Sequence, residues 1–283
     1  MDDLNDYEFQ HGHMPSSPEE PPRSRGWLIA GALLLVAAAA ALYIMFGKRP
    51  LPAPVAATPG PAAVATEPPR SLGGDAEPVA VPPLAESDPL VRTLVRALSN
   101  HQTIAAWLAT NGLIRNFTVT VANIAEGVAP AKQLSALRPS AAFLVVESGG
   151  ESYIDPRSYN RFTTLADAVA SVDPAGAARL YATLKPRIEE AAGELGLPAG
   201  GFDRILEQAL VALLRTPTPD RPLRVRPNDE GIGYGFVDGS FERLSAAQKP
   251  LVRMGPRNAR IIKTRLREIA LALGIPPAQL PPE

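Results

Sequence analysis

The chain has 283 residues, a net charge of −1 and no cysteine. Without cysteine, the protein cannot form disulfide bonds, thiolate zinc sites or iron–sulfur clusters, and it has no cysteine nucleophile. From Ser87 to the C-terminus, 23 Lys or Arg residues and 19 Asp or Glu residues leave a charge of +4, too small for a generic nucleic-acid-binding protein.

A hydrophobic run follows a polar tail. Residues 1–26 carry six acidic side chains with Arg23 and Arg25, and we predict a disordered cytoplasmic tail there. Residues 27–46 contain no charged side chain, and a helix of 20 residues reaches roughly 30 Å, the thickness of the hydrocarbon layer of a bilayer. Their Leu, Ile, Val and Phe side chains favour insertion by about 3 to 5 kcal/mol. The sequence therefore predicts one transmembrane helix over residues 27–46.

A cleaved signal peptide is the main alternative to this anchor. It is disfavoured because the start is long and acidic, and because the nearest small-residue cleavage pattern, at residues 55–57, lies beyond three prolines. Two basic residues flank each end of the span, so the flanking charges give no orientation. A first, uncleaved span commonly acts as a signal anchor. We therefore expect a bacterial inner-membrane protein whose C-terminal domain lies in the periplasm.

The segment after the span is rich in proline and alanine. Residues 50–83 contain ten prolines and few large apolar side chains, too few to bury the surface that folding requires. We predict a disordered spacer over residues 47–86, which holds the following domain clear of the bilayer.

Residues 87–283 carry the patterns of a folded domain. Ser87-Asp88-Pro89 is a typical helix start, because a capping side chain precedes a proline in the first turn. Apolar residues at helical spacing predict further helices over residues 104–108, 113–125, 156–170, 174–195, 202–215, 246–254 and 256–273. Turn signals between apolar stretches predict two hairpins, 143–146 with 152–154 and 223–226 with 234–237. The predicted fold is mainly α: a compact multi-helix globular domain with one or two small β-hairpins, preceded by the transmembrane helix and the linker.

Three groups of residues in this domain resemble a known family. They are Tyr153-Ile154-Asp155-Pro156 with Ser158-Tyr159, Arg179-Leu180-Tyr181 followed by Leu184-Lys185-Pro186, and Met254-Gly255-Pro256-Arg257-Asn258. Together they resemble the bacterial domain of unknown function 3014 over residues 84–273, and the order of span, linker and domain is similar too. The resemblance implies an envelope location. It implies no activity, ligand or catalytic residue.

Several polar residues of the domain are candidates for chemistry. Asp155 can act as an acid or base, but the favoured interpretation is a cap on the helix that follows it. Glu190 and Glu194 lie four residues apart and can act as paired carboxylates, although such pairs usually belong to a solvated helix face. His101 is the only histidine of the domain, which excludes multi-histidine metal sites. We predict no metal site and no cofactor.

The last predicted helix carries a row of cations. Arg257, Arg260, Lys263 and Arg267 fall within an arc of about 120°, beside an apolar arc that docks the helix. Arg257 lies in the first turn, where a cation opposes the helix dipole by about 0.3 to 1 kcal/mol. Two interpretations stay open. Arg257 pairs with a carboxylate of the domain, or the helix N-terminus with Arg257, Asn258, Arg260 and Lys263 forms an anion-binding site.

These patterns favour a function without catalysis. The soluble part contains no G-x-S-x-G, Walker, G-x-G-x-x-G, H-E-x-x-H or S-x-x-K motif. We expect a single-pass envelope protein that acts as an interaction or scaffold module for an envelope protein or polymer. One alternative is an envelope hydrolase that uses paired carboxylates. A weaker alternative is contact of the basic helix with an anionic lipid or a nucleic acid. The oligomeric state stays open.

Overall fold

The computed structural model describes residues 71–228 and 233–282. The predicted tail, the predicted transmembrane helix at residues 27–46 and the first part of the predicted linker lie outside the described residues. Within the described ranges, no helix has both the length and the apolar character that crossing a membrane requires.

Helices make up more than half of the described region, as the apolar spacing predicts. The nine α-helices there are α1 Asp88–Leu98, α2 Gln102–Leu108, α3 Leu113–Ala125, α4 Thr163–Ala170, α5 Pro174–Glu194, α6 Phe202–Leu214, α7 Gly239–Glu242, α8 Lys249–Arg253 and α9 Pro256–Ala272. Short 3₁₀ turns form at Leu84–Glu86, Ser135–Leu137, Pro156–Phe162 and Pro277–Gln279. The longest helix, α5, starts where Pro174 occupies the first turn and the Asp173 side chain accepts a hydrogen bond from the Gly176 N–H at 2.8 Å.

Two antiparallel hairpins interrupt the helices, which confirms that part of the predicted fold class. The first pairs β1 Val145–Ser148 with β2 Glu151–Ile154, and the second pairs β3 Val225–Pro227 with β4 Tyr234–Phe236. Gly149 and Gly150 both have positive φ, which a two-residue turn between such strands requires. A bridge between Tyr153 and Arg224 joins the two hairpins along β2 and β3.

Residues 156–170 differ from the prediction of one continuous helix. They form the 3₁₀ turn Pro156–Phe162 and then α4. The Ser158 hydroxyl accepts a hydrogen bond from the Leu144 N–H at 2.6 Å and donates one to the Leu144 carbonyl at 3.0 Å. These bonds hold Ser158 against the residue just before β1, so the first turn follows the tighter 3₁₀ path.

The main core lies among α1, α3, α5, α6 and α9. Each of these helices turns one apolar face inward, and Leu113, Ile188, Phe202 and Ala270 are among its most deeply buried residues. A smaller core packs the hairpins against α7 and α8 through residues that include Ile154, Phe236, Phe241 and Val252.

The folded part of the chain begins before residue 87, where the domain was predicted to start. Residues 71–86 do not behave as a free spacer, because Leu72 and Leu84 are each only 4% exposed and belong to the main core. The Gly73 N–H donates to the Leu273 carbonyl at 3.0 Å, and the Glu77 N–H donates to the Thr183 hydroxyl at 2.9 Å. These contacts correct the predicted linker boundary, since residues 71–86 lie on α5, α6 and the end of α9. We call residues 71–86 the strap.

Candidate ligand-binding cavity

A cavity of about 430 Å³ lies within the main core, bordered by α1, α2, α3, α5, α6 and α9. Ligand pockets in proteins commonly have volumes of about 300 to 1,000 Å³. Its wall includes one or more large apolar side chains from each of these helices, among them Val95, Trp107, Phe117, Leu180, Leu210 and Ile269.

The spacing of apolar residues explains how the helices produce this wall. On α3, Leu113, Phe117, Val121 and Ile124 recur every three or four residues and therefore share one face. On α6, the same spacing brings Ala209 to the wall between leucines. Ala209 contributes a single methyl group to the wall at this position.

The wall offers almost no polar groups to an occupant. Among the described residues that form it, none is Asp, Glu, Lys, Arg or His. Ser99 and Tyr181 are polar, but both oxygens have protein partners: the Ser99 hydroxyl lies 2.7 Å from that of Ser171, and the Tyr181 hydroxyl donates to Asp203 at 2.5 Å. The cavity therefore suits a group that makes no hydrogen bonds.

Apolar surface that leaves water contributes about 25 cal/mol per Å² to stability. An apolar group that enters this space therefore stabilises the folded domain, because the wall consists almost entirely of apolar side chains.

A second cavity, of about 150 Å³, adjoins the first. Ile104, Trp107 and Val172 line both cavities. Helix α2, which carries Ile104 and Trp107, therefore borders both cavities.

A polar network fixes one wall of the main cavity to the strap. The Asp203 carboxylate accepts hydrogen bonds from the Tyr181 hydroxyl, from the Lys185 ammonium at 2.5 Å and from the Leu72 N–H at 3.1 Å. Lys185 also donates to the Ser71 hydroxyl at 2.8 Å. Burial, and then the bond to Asp203, raise the pKa of Tyr181, so this phenol stays protonated. The carboxylate is fully engaged and holds α5, α6 and the strap together.

The residues of the predicted anion site have separate partners. Asn258 is buried, and its amide donates to the carbonyls of Tyr159 at 2.8 Å and Met254 at 3.0 Å. Arg260 pairs with Asp220, and Lys263 donates to the Thr216 carbonyl at 2.8 Å.

Burial, and then the charge of Arg267, lower the pKa of Lys263. Arg257 is exposed and donates to the Asn258 side-chain oxygen at 3.3 Å, and it forms no ion pair with any residue that the structure describes. No single polar pocket brings these groups together in the described region, and the anion site stays a prediction.

The other sequence candidates have structural partners. Asp155 caps the following turn by accepting from the Arg157 N–H at 2.8 Å, which confirms the favoured interpretation. Bonds from the Arg157 side chain, and then from its N–H, lower the pKa of Asp155. Glu190 pairs with Arg187 and Glu194 with Arg115, both on exposed surface.

His101 precedes α2, and its ring accepts a hydrogen bond from the Thr103 N–H at 3.2 Å. Within the described ranges, no group of three or more His, Asp or Glu residues is placed to hold a metal ion.

Comparison with known proteins identifies the family. The family described as protein of unknown function (DUF3014) matches residues 113–270. The chain belongs to the DUF3014 family. No curated protein and no solved structure matches the chain. The matched residues run from α3 into α9, whereas α1 and α2, which also line the cavity, precede them.

The residue groups that resemble DUF3014 hold the domain together. Tyr181 and Lys185 come from one group and bind Asp203 beside the cavity. Gly255, from another group, has a φ of +80° and lies so close to Tyr159 that a Cβ there would overlap the Tyr159 ring. The residues of these motifs therefore stabilise the packing of this fold.

The amino-acid sequence does not indicate the cavity. The apolar spacing of α3 and α6 is the same whether the face packs against a filled core or lines an open volume. One signal was present in the sequence: Tyr181 and Lys185, four residues apart on α5, carry polar groups that require a buried partner. The partner is Asp203 on α6, which no local pattern indicates.

Proposed function

We propose that this DUF3014 protein is a non-enzymatic binding module, anchored in a membrane by residues 27–46, whose helical domain takes an apolar group into its cavity. The observation that carries the proposal is the 430 Å³ volume with an apolar wall. An interaction module needs a surface or cavity that is complementary to its partner, and this cavity is complementary to hydrocarbon.

The geometry gives less support to an envelope hydrolase. Such an enzyme needs two carboxyl groups on either side of a substrate. Glu190 and Glu194 each pair with an arginine on the surface, and Asp203 is engaged by three donors. No acidic residue of the described region lines the main cavity.

The anchor, the inner-membrane location and the periplasmic position of the domain belong to the same proposal. They are supported by the uncharged run at residues 27–46 and by the proline-rich segment after it. In this arrangement the domain stays within a short distance of the bilayer and of envelope partners.

Binding of an apolar probe tests the proposal. The full chain is reconstituted in lipid nanodiscs and titrated with N-phenyl-1-naphthylamine, whose fluorescence rises in apolar surroundings. We expect a saturable component of one probe per chain. Ala209→Phe fills the cavity and should weaken this component at least tenfold, whereas Ala272→Phe, on the exposed end of α9, should leave it unchanged.

Circular dichroism checks that both variants keep their helical content. Equal probe binding by folded Ala209→Phe and the unsubstituted chain would exclude the cavity as the binding site.

A further inference from the structure

The dimensions of the cavity narrow the choice of occupant. On α3 the cavity extends from Leu113 to Ile124, and on α5 it extends from Ala177 to Ile188. The two residues of each pair are eleven positions apart, which corresponds to about 16 Å along a helix. The cavity is therefore elongated along α3 and α5, which suits a narrow, chain-like group.

The chemistry of the wall excludes other ligand classes. Sugars, nucleotides and extended peptides carry polar groups that lose their hydration when buried, and they need hydrogen-bonding partners in return. Ser99 and Tyr181 direct their hydroxyls to Ser171 and Asp203 and provide no such partner. The part of the ligand inside the cavity is therefore hydrocarbon, and any polar head group stays outside.

The volume indicates how much hydrocarbon fits. An engineered apolar cavity of about 150 Å³ in another protein holds one benzene molecule, or six carbon atoms. By proportion, 430 Å³ holds about 17 carbon atoms. We infer that the cavity binds one unbranched fatty acyl chain, inserted tail first along α3 and α5, with at most about 17 carbons inside. This inference rests on the proposed function and gives its ligand class.

Helix α2 carries a reporter of binding. Trp107 lines the main cavity and therefore lies beside the bound chain. It is also one of two tryptophans in the protein, the other being Trp27.

Quenching of Trp107 tests the inference. The full chain carrying Trp27→Phe is held in nanodiscs and titrated with stearic acid brominated in the middle of its chain, because bromine quenches tryptophan on contact. We expect at least half of the Trp107 fluorescence to be lost, with saturation at one chain per protein and reversal by excess unbrominated stearic acid. Ala209→Phe should abolish the quenching, and Ala272→Phe should preserve it.

Chain length gives a second readout. Each methylene buried contributes about 0.8 kcal/mol, so affinity should rise about fourfold per added methylene and level off at or below about 17 carbons, where the cavity is full. A flat dependence on chain length from 8 to 18 carbons would overturn the inference.

A separate experiment distinguishes an acyl chain that comes from a bilayer lipid from one that comes from a free fatty acid. Nanodiscs are made with phospholipid that carries brominated acyl chains, without free fatty acid. If Trp107 is quenched there and Ala209→Phe removes the quenching, the chain comes from a bilayer lipid; if only free acid quenches, the ligand is a fatty acid. If neither quenches while the naphthylamine probe still binds, the acyl-chain inference is wrong and the proposed function stands. If neither the brominated chains nor the probe binds, both are wrong.

Discussion

Filling the cavity with a larger side chain should stabilise the domain, which is the reverse of the usual effect of enlarging a buried residue. Ala209 is 3% exposed and lines the cavity on α6. Ala209→Leu adds three carbon atoms, worth about 2.4 kcal/mol of burial at about 0.8 kcal/mol each. Ordering the leucine side chain offsets about 0.5 to 1 kcal/mol of this. We expect the free energy of unfolding to rise by about 1.5 kcal/mol.

Ala192 provides the matched control. It is fully buried on α5 in the same core but does not line the cavity. Ala192→Leu should therefore force its neighbours apart and lower the free energy of unfolding by about 1 to 3 kcal/mol. The two variants make the same chemical change in one core and differ in the space available.

The assay is denaturant unfolding of the lipid-free full chain in amphipol, followed by Trp107 fluorescence in the Trp27→Phe background. Removing lipid matters, because a ligand that binds only the folded state raises the apparent stability. If Ala209→Leu lowers the free energy of unfolding as much as Ala192→Leu does, there is no space beside Ala209. The cavity could then not hold an acyl chain.

Three further changes test other parts of the structure. Asp203→Asn removes the charge that binds Lys185 and should lower the free energy of unfolding by about 2 kcal/mol, with faster proteolysis within the strap as the readout. Gly255→Ala should cost about 2 to 4 kcal/mol in a denaturant titration, because φ is +80° and the new Cβ overlaps Tyr159. Serine and arginine contacts lower the pKa of Asp238 from 3.8 to about 2, so the unfolded state binds protons first on acidification. The stability from Asp238 should be constant above about pH 5 and lost progressively as the pH falls towards 2, and Asp238→Asn should remove this loss.

Local signals account for what could be predicted from the sequence. Ser87-Asp88-Pro89 and Gly255-Pro256 each mark the start of a helix in the structure, because a proline is well tolerated in the first turn. The Ser87 side chain does not cap its helix as predicted, since its hydroxyl donates to the Leu84 carbonyl instead. Asp155 caps its turn through its own neighbour, and Gly149-Gly150 supplies the positive φ values of the first hairpin. Each of these features depends on residues within a few positions of one another.

The features that could not be predicted depend on distant residues. Strap residues 71–86 have a linker composition, yet Leu72 and Leu84 are buried in sites that α5, α6 and α9 create more than 90 residues later in the chain. Lys185 binds Asp203 on the next helix, a contact that no spacing along α5 indicates. The cavity volume depends on side chains from six helices together, so no single helix indicates it.

One carboxylate connects the cavity with the segment that leads towards the predicted anchor. Asp203 binds Tyr181, which lines the cavity, and also the N–H of Leu72 in the strap. Because Asp203 itself does not line the cavity, Asp203→Asn should loosen the strap while leaving the acyl chain length that binds best unchanged. Ala209→Phe should block the chain and leave the strap protected from protease. If instead Asp203→Asn changes the acyl chain length that binds best and Ala209→Phe exposes the strap to protease, the strap rather than the helical wall determines what the cavity accepts.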